Sequence, residues 1–178
     1  RHAPKRLTEA AEILPYLQDE AHFPGGRSPM VLLPENEAEL AWALAEAPAV
    51  LASGARSSLT GGATPLGEWV VSLERFTRLD ASRAGYVTAG AGVTLEALQQ
   101  ALTAGRLWYP PVPTFDGAFV GGTIATNAAG AATFKYGSTR PWVEAITVVL
   151  ADGAQLTIQR GEVTAWPDGS FELVYASG

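Results

Sequence analysis

Apolar and polar positions along this chain change their period from one segment to the next. Leu40, Ala41, Leu44 and Ala45 recur three and four apart, the spacing of one buried face of a helix. Asn36 stands just before them, with Glu39 three residues on, which is a helix N-cap followed by a carboxylate. Pro48 ends that element. The short apolar runs "MVLL" (Met30 to Leu33) and "AVLA" (Ala49 to Ala52) flank it as strands. An earlier helix is predicted over "EAAEILPYL", capped by Thr8 and kinked or stopped by Pro15. Strand, helix, strand is a βαβ unit and favours a small parallel sheet.

Further along the pattern becomes one of alternation. "WVVSL" (Trp69 to Leu73) and "GYVTAGAG" (Gly85 to Gly92) read as strands. Thr94 caps a helix carrying Leu95, Leu98, Ala101 and Leu102, closed by Gly105. From Trp142, the positions Val143, Ile146, Val148 and Leu150 lead to Asp152-Gly153 and then "AQLTI". Asp-Gly between two such runs signals a hairpin. Asp168-Gly169 repeats the signal before "SFELVY". The fold class expected is α+β: a small βαβ part over about residues 1–65, packed on a larger, mainly antiparallel part with helices over about 66–178.

Two stretches fit neither period. "SGARSSLTGGATP" (Ser53 to Pro65) separates two strands with little but Gly, Ser and Thr. It is either a polar surface loop or a place where bare backbone lies against a ligand. Phosphate recognition needs several amides converging without Cβ atoms in the way, and successive N–H groups in a turn provide that. Ser57, Ser58 and Thr60 add hydroxyls. No Gly-Lys-Ser/Thr follows, so it is not a P-loop. The second stretch, "GGTIATNAAGAATFKYGSTR" (Gly121 to Arg140), has almost no large side chain before Phe134. It offers little apolar surface for a core strand, yet "TIAT" is more strand-like than a linker. Its glycines and alanines permit close backbone approach.

Composition narrows the classes of function. The chain has 178 residues, 47% hydrophobic and 17% charged, with formal net charge −6. There is no basic footprint for nucleic acid. The absence of Cys removes disulfides and thiolate metal sites and is consistent with a cytoplasmic protein. His2 and His22 have no metal-ligand spacing, and no apolar run approaches the ~20 residues of a membrane span. The chain opens on Arg1 rather than Met, which points to a trimmed or partial N-terminus.

Other candidates have plainer readings. "AGAGVTLEAL" (Ala89 to Leu98) opens a helix with Gly-x-Gly, but Leu95 occupies the third glycine position of the dinucleotide fingerprint. It reads as a strand end and a helix cap. Glu144 is a strand residue and His22 a turn residue, while Trp108 and Tyr109 before Pro110-Pro111 either line a pocket or pack in the core, the core being the plainer reading. Arg140 faces an anionic group or a local carboxylate. No Ser-His-Asp set can be assembled.

Taken in order, "PENEAEL", "SGARSSLTGGATP", "VVSLERFTRLD", "VTAGAGVTLEALQQAL", "YPPVPTFDGAFVGGTIATNAAGAATFKYGSTRPWV" and "VVLADG" resemble the flavin-binding domain of the vanillyl-alcohol oxidase, or p-cresol methylhydroxylase-type, family. The branch most similar is the FAD-linked oxidases of glycolate oxidase subunit and D-lactate dehydrogenase kind. The resemblance runs from about Leu32 to Gly153. It implies that backbone amides of Gly54, Ala55, Arg56, Ser57 and Ser58 wrap the FAD pyrophosphate, with Ala63 and Thr64 near the same cofactor. Pro113 and Thr114 are a second contact. Gly121 and Gly122 let the backbone pass the cofactor, and Thr126, Asn127, Ala128 and Ala129 lie near the ribityl chain or isoalloxazine.

The flavin is expected to be non-covalent, because Cys is absent and Arg56 and Ser57 stand where a linking His would sit. Many relatives have Gly at the position of Arg56, so this side chain must point away or onto the ligand. Relatives also continue into a second glycine-bearing cofactor segment and a substrate domain with the catalytic groups. Neither is seen here, so no catalytic residue is assigned and the chain is expected to belong to a longer protein. The resemblance implies hydride transfer from a small 2-hydroxy acid to flavin N5, with the electron acceptor and any second subunit left open. The alternatives are a reductase of the UDP-N-acetylenolpyruvoylglucosamine type and a non-catalytic flavin module that passes electrons.

Overall fold

Strand β2 (Val31–Leu33) is buried along its whole length, and the N-terminal part is arranged about it. The computed structural model describes residues 3–111 and 113–173. His2 lies outside them. A four-stranded sheet has the order β1-β2-β4-β3, where β1 is Lys5–Leu7, β3 Val50–Ser53 and β4 Trp69–Ser72. β1 pairs antiparallel with β2, whereas β4 runs parallel to both β2 and β3.

Alternation along β2 and β4 sends successive side chains to opposite faces. Val31, Leu33 and Val70 meet Leu7, Ile13 and Tyr16 on one side. Leu32 and Val71 meet Ala43, with Leu40 and Trp42, on the other. The first face is covered by α1 (Ala10–Ile13) and the 3-10 turn Leu14–Tyr16, the second by α2 (Glu37–Glu46). Full burial of each aliphatic side chain here contributes about 1.5–3 kcal/mol relative to exposure.

The cap at Asn36 forms as the sequence predicts: its side chain accepts from Glu39 N. The Glu39 carboxylate returns to Glu35 N at 3.0 Å. The first helix is shorter than expected, and Glu9, not Thr8, is its N-cap, without a side-chain bond. Pro15 falls in the 3-10 turn that ends it.

One strand lies elsewhere than the sequence suggested. Trp69–Ser72 does not begin the antiparallel part but sits between β2 and β3 in the parallel sheet. An apolar run buried on both faces carries no mark of its partner, so its sheet was not legible from period alone.

The second part is antiparallel, built among the described residues as two-stranded ribbons. β5 (Leu79–Asp80) pairs with β6 (Thr88–Ala89), and β7 (Ala145–Val149) with β8 (Gln155–Gln159). "GYVTAGAG" is therefore strand only at Thr88–Ala89. A Cβ at Gly90 or Gly92 would lie 2.2 Å from the carbonyl oxygen of Phe76 or Leu73, so that Gly-x-Gly serves backbone contact. Helix α3 (Leu95–Ala104) is capped by Thr94 and buries Leu95, Leu98 and Leu102 against Leu79, Val87 and Val120.

The Asp152-Gly153 turn joins β7 and β8, as expected. At Asp168-Gly169 the turn also forms, with Trp166 N donating to Ser170 O at 2.8 Å. No strand follows through Leu173, and the rest of "SFELVY" lies outside the described residues.

"TIAT" is helical, not a strand: α4 spans Val120–Ala125. Thr123 Oγ1 donates to Val120 O and Thr126 Oγ1 to Gly122 O. Two short helical pieces follow, α5 (Thr133–Tyr136) and the 3-10 turn Arg140–Trp142.

Candidate functional site

The parallel strands β2, β3 and β4 present their carboxyl ends on one side of the sheet, the side where open α/β sheets take ligands. Ser53 closes β3, and the Gly/Ser stretch starts from it. Among the described residues, no amide of residues 54–58 donates to another protein group. Arg56 adopts φ 58°, so the turn passes through the left-handed region, one of the backbone conformations from which anion nests are built. A Cβ at Gly54 would sit 3.7 Å from the Phe119 ring, an ordinary contact, so the glycine is not required by packing there.

Ser53 Oγ and Thr64 Oγ1 are buried without a hydrogen-bond partner. They stand at the two ends of this stretch. An unpaired buried hydroxyl costs about 1–3 kcal/mol, a cost that an oxygen-rich ligand reaching these groups removes. Free amides, a left-handed turn and orphaned hydroxyls together fit a phosphate-bearing cofactor.

A segment that sequence reasoning left unassigned braces this loop. Asp19, 4% exposed, accepts from Ala21 N at 3.1 Å and from Ala63 N at 3.3 Å. The Ala63 amide is thus engaged by protein. Glu20 N donates to Arg56 O at 3.1 Å. The Arg56 guanidinium lies 4.6 Å from the centroid of the Tyr16 ring, and its Nη1 donates to Gly54 O at 3.4 Å. So Arg56 turns back on its own fold. Tyr16 Oη donates to the Glu74 carboxylate at 3.1 and 3.0 Å, and Ser72 Oγ donates to the same carboxylate at 3.0 Å. Burial first, and then the Glu74 charge, push the Tyr16 phenol up from its ordinary value, with Arg56 and Arg75 opposing.

Phe119 joins the first loop to the second candidate stretch. It precedes α4 and forms a bridge to Thr94. Gly121 N donates to Ala91 O at 2.9 Å, and a Cβ there would lie 2.7 Å from Ala91 Cβ. Gly121 is therefore held by helix-to-loop contact, whereas nothing lies within 4 Å of a Cβ at Gly122. After α4, Asn127 takes φ 48° and accepts from Arg140 N through Oδ1 at 2.9 Å. The Ala128 carbonyl accepts from both N and Oγ1 of the fully buried Thr139, at 3.0 and 2.9 Å. Thr126 and Ala129 are exposed. Pro113 bridges to Gly130, which sets Pro113 and the exposed Thr114 beside this turn. One run of contacts thus links residues 53–58, Phe119, α4, residues 126–130 and Pro113.

Groups for proton transfer are sparse near this run. His22 is exposed in its turn, and Glu144 is exposed at the start of β7. Among the described residues no cluster of His, Asp or Glu could hold a metal. A groove of about 450 Å³ along α3, lined by Glu96, Gln99, Gln100, Thr103 and Asp116, shares no residue with the site. Also among the described residues, no helix is long and apolar enough to cross a membrane.

Comparison with known proteins bears on the same region. Residues 28–159 match the family model described as an FAD binding domain. D-2-hydroxyglutarate dehydrogenase of Xanthomonas citri pv. viticola (strain LMG 965) is 41% identical over 133 residues, 72% of this chain and 28% of that protein. D-lactate dehydrogenase of Archaeoglobus fulgidus is 38% identical over 135 residues, 72% of this chain and 30% of that protein. The chain therefore spans about a third or less of these relatives' length. In fold it is similar to 6-hydroxy-D-nicotine oxidase from Arthrobacter nicotinovorans, with TM-score 0.80 at 16% identity over 89% of this chain and 36% of that one. By the match over residues 28–159, this chain belongs to the FAD binding domain family, and its cofactor is FAD.

Proposed function

We propose that the whole protein oxidises a small 2-hydroxy acid, of the glycolate or D-lactate kind, and that this chain is the part that holds and orients its FAD. The observation carrying the site assignment is the run of unengaged amides at residues 54–58, at the carboxyl end of β3 and flanked by the orphaned Ser53 and Thr64 hydroxyls. Bound FAD supplies the electron-accepting ring to which a substrate hydride passes.

The chain's own residues bind and orient. Amides of Gly54, Ala55, Arg56, Ser57 and Ser58 donate to the pyrophosphate oxygens, where charge makes each N–H···O bond stronger than a neutral one. Thr64 offers its hydroxyl, whereas Ala63 contributes shape, its amide being held by Asp19. Gly122 leaves an open backbone face, with Gly121 fixing its position against Ala91. Thr126, Asn127, Ala128 and Ala129 form the turn toward the flavin ring, kept in place by Thr139 and Arg140. Pro113 and Thr114 close the site from the other side. The general base and the substrate clamp are assigned to the longer protein, as are the electron acceptor and any partner subunit. A cytoplasmic location goes with this reading, since a chain without Cys makes no use of an oxidising compartment.

The test is titration of the purified chain with FAD and with riboflavin, followed by flavin fluorescence. Recognition through the pyrophosphate gives FAD at least a tenfold advantage over riboflavin. Gly54→Val is expected to weaken FAD binding at least tenfold, and its melting temperature reports separately on whether the fold survives. Equal affinity of wild type and Gly54→Val for FAD removes the loop from the site. Acid precipitation of the loaded chain is expected to leave the flavin in the supernatant; yellow colour in the denatured pellet contradicts non-covalent binding.

A further inference from the structure

Arg56 is a non-glycine residue in a left-handed conformation, uncommon for a side chain with a Cβ, at the middle of the loop assigned to the pyrophosphate. We propose that Tyr16 is a positioning residue of this flavin site: its ring holds the Arg56 guanidinium beneath the loop, so that residue 56 keeps its left-handed turn and the loop mouth stays clear. The inference rests on the site reading above and concerns residues outside its contact set. Tyr16 also precedes the family match, which begins at residue 28.

The contacts form a chain with fixed ends. Glu74 accepts from Ser72 at the end of β4 and from the Tyr16 hydroxyl, a bond that adds to the packing of the ring without being what fixes its place. The ring is only 8% exposed and belongs to the cluster of Leu7, Ile13, Val31, Leu33 and Val70. Its face takes the guanidinium at 4.6 Å, a cation–π distance. The Arg56 carbonyl is fixed separately by Glu20 N. Side chain and backbone of residue 56 are therefore both tied to the segment before β2, and the amides beside it stay free. With the ring removed, the Gly54 carbonyl is the one partner left to this long cationic side chain among the described residues. The left-handed turn then loses its support, a support that glycine would not need.

The experiment compares Tyr16→Leu, Tyr16→Phe, Arg56→Ala and Tyr16→Leu/Arg56→Gly by FAD affinity and by hydrogen exchange of the Glu20 amide. Exchange of Val70, whose amide donates to Met30 O, reports on the fold. Tyr16→Leu is expected to weaken FAD at least tenfold and to speed Glu20 exchange at least tenfold beyond any change at Val70, which shares the core cluster with Tyr16. Tyr16→Phe keeps the ring and stays within threefold on both. Adding Arg56→Gly to Tyr16→Leu brings both readouts back to within threefold of wild type. Arg56→Ala leaves the core cluster intact and should reproduce both losses, so a misfolded leucine variant does not end the test. Wild-type behaviour of Arg56→Ala overturns the proposal, as does a double variant no better than Tyr16→Leu. If the native chain binds no FAD, the site reading fails by itself. Glu20 exchange then still decides this proposal, and exchange unaltered in Arg56→Ala refutes it.

Discussion

At the scale of one residue, Tyr16 joins two neighbours: its hydroxyl donates to Glu74 and its ring carries the Arg56 guanidinium. Its phenol stands above its ordinary value of 10.0, through burial and the Glu74 carboxylate. A proton held more tightly in the folded state stabilises the fold fully below the unfolded value, and that stability is lost as pH rises through the folded one. The hydrogen bond to a charged acceptor contributes about 1.5–3 kcal/mol. Tyr16→Phe should therefore be less stable than wild type by about that amount at pH 8, and the gap should narrow above pH 10. Urea unfolding of the pair at the two pH values measures it; a constant gap removes the phenol's charge from the account. The Gly/Ser loop was legible in sequence because excluded side chains leave a visible mark. Its braces were not: Asp19 finds Ala63 at a separation of 44 residues, and nothing around Asp19 or Tyr16 announces a distant partner.

Elements defined by local chemistry were read well, those defined by their neighbours less so. Asn36 and Thr94 cap α2 and α3 through bonds within one turn, and the Asp152-Gly153 hairpin closes on itself. Such signals need no knowledge of the rest of the fold. Asn36→Ala is accordingly expected to cost about 1 kcal/mol, whereas Leu32→Ala, which empties a fully buried site between two faces, should cost about 2–5 kcal/mol. Chemical denaturation of both variants sets the order, and a larger loss at Asn36 contradicts this view of the sheet. "TIAT" became a helix because Gly121 rests on Ala91 and the threonine hydroxyls bond back to the preceding turn. Tertiary contact overrode a strand-like composition. Strand β4 went to the parallel sheet for a similar reason, since its burial was readable and its partners were not.

At the scale of the molecule, the described residues supply a surface for holding a cofactor and little for moving a substrate's proton. Alcohol oxidation needs a base within about 2.6–3.2 Å of the hydroxyl, directly or through one water. His22 is exposed on a turn before β2, and two carboxylates beside the loop are already engaged: Asp19 by two amides, Glu74 by Tyr16 and Ser72. Arg56 lies on Tyr16 and Arg160 donates to the Val143 carbonyl, so neither is aimed as a carboxylate clamp. The matched relatives extend far beyond the region shared with this chain, which is 28% of one and 30% of the other. Residues 1–178, loaded with saturating FAD, are therefore expected to bind flavin yet leave it oxidised when glycolate or either lactate enantiomer is added without oxygen. Absorbance of the oxidised flavin follows the reaction, and dithionite at the end confirms that the bound flavin is reducible. Bleaching by one of the acids at more than about 1 per second, in the range of ordinary turnover, places the base within this chain. Should that occur, Tyr136 is the first residue to replace: it lies just beyond the 126–130 turn, with the Trp108 ring at 5.0 Å and Lys135 Nζ over its face at 4.9 Å.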